Sequence, residues 1–287
     1  AEELGIPFEK IRVIPERITD LTPYSWQTVA SRNLFMEGKA VINAARDARE
    51  QILEMASQAL RVQKSDLAIE NGTVFPTGEP EKGIPLQQFA MGYTYPNGSA
   101  IGGPVIGRGS YVPRGLTYLD PETGEGLPAL KWTFGAQAVD VEVDVETGEV
   151  KTLKVASAFD IGRAINPLLV QGQVYGGVLQ SLSIGLMEGY IYDEHGAMLN
   201  CNFTDYKIAR ASDMPDEHIV MLIENPQSDG PYGARGIGEL TMLSIPPATA
   251  NAIFDATGVQ LFNLPMTPES VWKAVKEQKP ELLARAR

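Results

Sequence analysis

One cysteine, Cys201, and two histidines, His195 and His218, are the only thiol and imidazole side chains in 287 residues. A single thiol excludes an internal disulfide framework and any cysteine-rich zinc or iron-sulfur site within this chain. It also makes a reducing cytoplasm the expected compartment. Both histidines sit in polar, turn-like sequence, Asp193-Glu-His-Gly196 and Asp216-Glu-His218. They read as solvated surface residues, and no metal ligand is assigned, because a histidine site needs several convergent donors. Positive charge is scarce as well. Lys plus Arg number 24 against 36 acidic residues, a formal charge of -12, which argues against nucleic acid or an anionic membrane as partner. The sequence shows no signal peptide and no membrane-length apolar run. Strands and helices do not alternate strictly, as a parallel barrel would require.

What is present is 44% hydrophobic content, enough for one large core or two modest ones. Glu37 to Val62 carries apolar residues at helical spacing and predicts a long amphipathic helix packed on a sheet. Asn71-Gly72 between short apolar runs predicts a hairpin. Val139, Val141, Val143 and Val145 alternate with Asp140, Glu142 and Asp144, a strand with one buried and one wet face; Glu146-Thr-Gly-Glu149 then turns the chain back. A helix is expected from Leu168 to Met187, a second from Pro247 to Ala256 ended by Gly258, and a last short one from Pro268, with a fraying charged tail behind it. Phe8 to Ile14, Tyr190 to Met198 and Ile219 to Glu224 read as strands. Ile18 to Ser31 reads as a polar loop, and Ile84 to Pro128, rich in glycine and proline, as one long connection. Ala1 to Leu4 running into Gly5 predicts the tail of a helix whose earlier turns lie in a preceding segment or another chain.

The stretch with most chemical content is Gly230-Pro-Tyr-Gly-Ala-Arg-Gly-Ile-Gly-Glu239. Gly233, Gly236 and Gly238 permit close main-chain approach, and their amides form a candidate anion nest. Glu239 follows at a helix entrance, where the helix dipole by itself already favours an acid. Upstream stand Asp160-Ile-Gly-Arg-Ala-Ile-Asn-Pro167, Gly172-Gln-Val-Tyr-Gly-Gly177 and Asp205-Tyr-Lys-Ile208.

In that order, with Thr28-Val-Ala-Ser-Arg32, Gly38-Lys-Ala-Val41 and Val141 to Gly148, these motifs resemble the C-terminal part of the molybdopterin-binding subunit of the xanthine oxidase family of molybdenum hydroxylases. The resemblance spans most of the chain. Strands mixed with helices, with no repeat of solenoid length, point to an α+β fold of mixed sheets with packed helices, in two subdomains, 1–128 and 129–287; the resemblance implies that they flank a molybdopterin cleft. It implies Glu239 as catalytic base, and Ala30, Ser31, Arg32, Asn33, Gln173, Gly236 and Gly238 as cofactor contacts. The implied cofactor is molybdopterin, as the cytosine dinucleotide, with molybdenum. Iron-sulfur clusters and FAD would reside on partner subunits, beside either a second molybdopterin-binding subunit, as in enzymes of the split nicotinate dehydrogenase type, or a preceding segment of this one. The implied reaction is hydroxylation of an N-heterocycle or aldehyde with water as oxygen source. Leu34 departs from the family, where threonine is common, and donates no hydroxyl hydrogen bond. That departure favours a non-catalytic assembly subunit as the alternative. A cofactor-independent hydrolase using Glu239 is the other.

Overall fold

The computed structural model describes residues 1–14, 18–20, 22–25 and 27–285. Leu21 and Trp26, inside the expected polar loop, lie outside the described residues. The chain divides into two compact units, one of Ala1–Thr28 with Arg32–Pro128 and one of Val29–Ser31 with Ala129–Arg287.

In the first unit the amphipathic period produces helix α1 (Asn33–Leu60), closed by Arg61 in the left-handed region. Its Ile52, Met55 and Ala56 are buried against Leu67, Ile69, Val74, Leu86 and Phe89. Beneath it, β1 (Leu67–Glu70) and β2 (Thr73–Pro76) pair antiparallel. Asn71 and Gly72 both take positive φ, 51° and 77°, the backbone that a two-residue turn of this hand demands. A short β3 (Ile84–Pro85) adds to β2.

The long connection expected after Ile84 is shorter than the composition suggested. β4 (Met91–Thr94) and β5 (Ala100–Pro104) form a second antiparallel ladder. The physical reason is Pro96-Asn-Gly-Ser99, where the Tyr95 amide bonds the Ser99 carbonyl at 2.8 Å and the chain reverses. Only the stretch from residue 105 to 128 lacks regular structure. The strand expected over Phe8 to Ile14 is not formed either. Phe8–Lys10 makes one 3-10 turn, and Phe8, Val13 and Ile14 are exposed, because no neighbouring strand supplies ladder partners. Ala1 to Leu4 forms turns that end at Gly5 (φ 61°), not a helix.

The second unit is built on a three-stranded sheet. β6 (Phe134–Val143) pairs antiparallel with β7 (Val150–Asp160), and β8 (Glu217–Ile223) lies parallel to β7 on its other side. Between β7 and β8 the chain crosses over through α2 (Pro167–Leu186), whose first turn is capped by the Asn166 side chain accepting from the Leu169 amide at 3.1 Å. Val170, Val174, Val178 and Leu182 of α2 bury against Val155, Phe159 and Ile161. Helices α3 (Ile245–Thr257) and α4 (Pro268–Gln278) close a further core with Val259 and Met266.

Three local expectations are corrected here. The tail past α4 folds as α5 (Pro280–Arg285), since Leu282 and Leu283 pack onto that core. Tyr190 to Met198 yields a single bridge, Tyr192 to Met198, because Asp193 turns the chain by accepting from the amides of His195 and Ala197. His218 is half-buried rather than a fully solvated surface residue. It faces inward from β8, its Nε2 is 3.2 Å from the Ser157 hydroxyl, and burial lowers its pKa. The alternation of β8 decides its direction, and the polar residues preceding it in sequence do not.

Phe159 has no exposed surface and sits between the sheet and α2. Phe159→Ala is expected to lower unfolding free energy by about 3–5 kcal/mol through lost burial and a residual cavity. The shift of the urea midpoint at unchanged slope checks it.

Candidate cofactor site

Residues 233–239 are fixed from two sides within the second unit. On one side, Arg235 is almost fully buried and its Nη1 donates to Asp160 Oδ2 at 2.8 Å. The Arg235 amide bonds the Ile161 carbonyl at 2.9 Å, so the Gly-rich loop is laced to the end of β7. On the other side stands Ser31. Its Oγ accepts from the Gly238 amide at 3.0 Å and the Glu239 amide at 3.1 Å. Gly236 explains why the approach is possible. A Cβ there would lie 1.7 Å from the Ser31 carbonyl oxygen, so no other residue fits.

Ala30 and Ser31 both hold positive φ, 55° and 51°, a conformation that costs about 1–2 kcal/mol for each residue with a Cβ. The two amides bonded to Ser31 offset part of that cost. They also alter the expected nest. Gly238 and Glu239 give their N–H groups to Ser31, and these two amides do not point outward for an anion. With its lone pairs taken by these two amides, the Ser31 hydroxyl keeps its proton as a donor.

Glu239 opens a single 3-10 turn, Glu239–Met242, and its side chain is exposed. Thr241 Oγ1 bonds the Gly238 carbonyl at 2.8 Å and reaches the Gln173 carbonyl at 3.5 Å. This places the turn on α2 one residue-width from Gln173, whose side chain is exposed. The glycines of α2 divide in role. A Cβ on Gly177 would strike Thr241 Oγ1 at 1.8 Å, whereas nothing lies within 4 Å of that position on Gly172 and Gly176. Gly177 therefore serves the protein's own packing, and Gly172 with Gly176 leave an open strip beside Gln173. The structure thus brings Ala30, Ser31, Gln173, Gly236, Gly238 and Glu239 into one unit. Arg32 and Asn33 belong to the other unit. There Arg32 Nη1 donates to the Gln27 carbonyl at 3.2 Å and Asn33 Nδ2 to Thr28 Oγ1 at 2.9 Å. Asn33 Oδ1 is buried without a hydrogen-bond partner among the described residues. Leu34, the departure from the family pattern, is the second residue of α1 and partly exposed.

Sequence reasoning missed Lys131 and Gln137. Lys131 lies beside Arg235 and Gly236, and desolvation, with the Arg235 charge next in weight, pulls its pKa down to about 8. Gln137 Nε2 donates to Ser157 Oγ at 3.1 Å and to the Thr241 carbonyl at 3.0 Å, while its Oε1 accepts from Ser244. Only their positions before and within β6 hinted at a role.

A glycine-rich strap that carries a carboxylate, buttressed by a serine and flanked by an open helical strip, stands on an α+β unit. Residues 1–215 match the molybdopterin cofactor-binding domain, and the chain belongs to that family of the molybdenum hydroxylases. It is 32% identical over 280 residues to the large subunit of nicotine 6-hydroxylase from Paenarthrobacter nicotinovorans, covering 96% of this chain and 33% of that one. The xanthine dehydrogenase molybdenum-binding subunit of Escherichia coli O157:H7 is 31% identical over 276 residues, with 95% and 34% covered. Among solved structures, quinoline 2-oxidoreductase from Pseudomonas putida 86 superposes with a TM-score of 0.73 at 26% identity, covering 90% of this chain and 32% of that one. The chain spans about one third of the length of the curated relatives it matches.

The donor set fits an oxygen- and nitrogen-rich pterin. The Ser31 hydroxyl, the exposed Gln173 amide and the bare strip at Gly172 and Gly176 offer hydrogen bonds without bulk. Among the described residues no three His, Cys, Asp or Glu side chains gather as a metal site.

Two tests probe this geometry. Gly236→Ala is expected to push Ser31 off the loop and speed hydrogen exchange at Gly238 and Glu239, with α2 unaffected; exchange mass spectrometry reads it. Lys131 provides a pH test. The unfolded chain holds this proton up to about 10.4, the folded chain only to about 8. Between those values the unfolded state binds more protons, so Lys131 contributes stability that rises with pH and a penalty below pH 8. Stability of Lys131→Met minus wild type is expected to fall as pH rises through this window.

Proposed function

We propose that this chain is a molybdopterin-binding part of a molybdenum hydroxylase in which Glu239 is the catalytic base. The observation that carries the reading is the pair of hydrogen bonds that the Gly238 and Glu239 amides donate to Ser31 Oγ. It gives the carboxylate a backbone fixed to the same residues the family resemblance assigns to cofactor contact. The bound molybdenum supplies the two-electron oxidation and the oxygen drawn from water. What this chain contributes is position and proton transfer. Ser31 and Gln173 orient the pterin through hydrogen bonds, and Gly236 and Gly238 let it approach the main chain. Glu239 takes the proton of the attacking hydroxyl as an electron-poor carbon, in an N-heterocycle or aldehyde, is hydroxylated. Because Glu239 is exposed in this chain, the water exclusion its role requires comes from groups placed over the loop. The pterin is proposed to be the cytosine dinucleotide form. Iron-sulfur and FAD partners accept the electrons, and further molybdopterin-binding polypeptide completes the site, in a reducing cytoplasm consistent with the free Cys201.

The assembly-subunit alternative rests on Leu34. The hydrolase alternative is disfavoured by the only serine–histidine contact among the described residues, in which Ser157 has no exposed surface and cannot meet a substrate. In the reconstituted assembly, Glu239→Gln is expected to retain molybdenum by elemental analysis and to lose turnover by several orders of magnitude, about 10²–10⁴-fold for a general base. Full turnover in that variant rejects the base assignment, and absence of molybdenum from the complete wild-type assembly supports the structural role.

A further inference from the structure

β6 is the edge strand of the three-stranded sheet, with α3 packed against it and its outer backbone groups uncovered among the described residues. In an antiparallel pair, alternate residues direct their N–H and C=O groups away from the partner strand. No backbone hydrogen bond from residues 134–143 leaves the β6–β7 pair among the described residues. Phe134-Gly-Ala-Gln-Ala-Val-Asp-Val-Glu-Val143 has no lysine or proline; its edge is guarded against a like strand by the acidic Asp140 and Glu142 and by a register shift between Asp140 and Val141. Beside the edge runs a groove of about 370 Å³ between β6 and the outward side of α3. Its α3 wall includes Ala248, Ala252 and Ala256, one residue per helical turn, and Asp140 and Asp255 also line it. Neither aspartate makes an ion pair among the described residues; Lys154, opposite Asp140 on β7, has its Nζ 2.9 Å from Glu217 Oε2.

We infer that the β6 edge and the α3 groove receive an extended, basic segment of another polypeptide, which joins the sheet as a fourth strand. The chemistry specifies the occupant. The alanines leave room for the apolar side chains that an added strand directs inward at every second position. The two unpaired carboxylates call for Lys or Arg on the alternate positions or at the strand's end. A second copy of this chain is a poor occupant, because β6 against β6 would juxtapose Asp140 and Glu142 with their own like charges in a protein already at -12. The segment belongs to the further polypeptide of the molybdopterin-binding assembly, and to that extent the inference rests on the reading above. The binding chemistry itself does not depend on molybdenum.

The test uses the full chain and a short acetylated and amidated peptide, Thr-Val-Lys-Val-Arg-Val-Lys-Val-Thr, with a counterpart in which glutamate replaces each basic residue. The basic peptide is expected to bind, by fluorescence anisotropy, and to slow hydrogen exchange at β6 but not at β8. Its affinity should fall by roughly tenfold or more in Asp255→Lys, a surface change, and separately in Ala252→Leu, which fills the groove. Equal binding of the acidic peptide, exchange protection located elsewhere, or self-association of the chain through β6 overturns the inference. Loss of the β6 slot with molybdenum still bound in the assembly would overturn this inference alone, and the reverse would overturn only the hydroxylase reading.

Discussion

The site depends on one oxygen atom that accepts two hydrogen bonds. Ser31 Oγ takes the amides of Gly238 and Glu239 across more than two hundred residues of sequence. Without it, a loop with three glycines in seven residues would sample many backbone states, and the carboxylate at its end would have no defined place. The bond is demanding on both sides. Ser31 and Ala30 adopt left-handed backbone to present the hydroxyl, and position 236 tolerates no Cβ. Strain of this kind persists where surrounding contacts over-determine it, and it gathers at functional sites.

Beneath that contact lies the Arg235–Asp160 pair, both side chains about nine-tenths buried. Removing one partner of such a pair leaves an uncompensated charge, a cost of about 3–5 kcal/mol, even though the intact pair contributes little net stability. Its value is geometric. It ties the loop to the end of β7, whose Phe159 and Val155 are among the most buried residues of the unit. The Gln137 amide extends the same logic to the turn after Glu239, since it bonds Ser157 on the sheet and the Thr241 carbonyl on the turn. The exposed, chemically useful groups therefore stand on a rigid core, and freedom is confined to side chains.

Periodicity made much of the scaffold legible. α1, the β6–β7 hairpin, α2, α3 and α4 follow from apolar spacing, from prolines at helix starts and from Gly258 as a stop, all local signals; the caps Asn166 and Thr267 are seen only in the structure. The misses have a common cause. Phe8 to Ile14 and Tyr190 to Met198 have strand-like composition, but a strand exists only if another strand is beside it. His218 looked solvated because its sequence neighbours are polar, while the inward face of β8 is chosen by packing against α2.

By itself the sequence determined the main helices and the β6–β7 hairpin, the acidic balance, the absence of a cysteine-built metal centre and the ordered motifs that place Glu239 after its glycines, because each is written in residue type and spacing over short range. Tertiary structure alone decided that Ser31 spends its lone pairs on the loop, that Gly177 packs while Gly172 and Gly176 stay open, and that Lys131 is driven down toward neutrality beside Arg235. Those outcomes depend on which distant atoms share a few ångströms, and no local pattern encodes that.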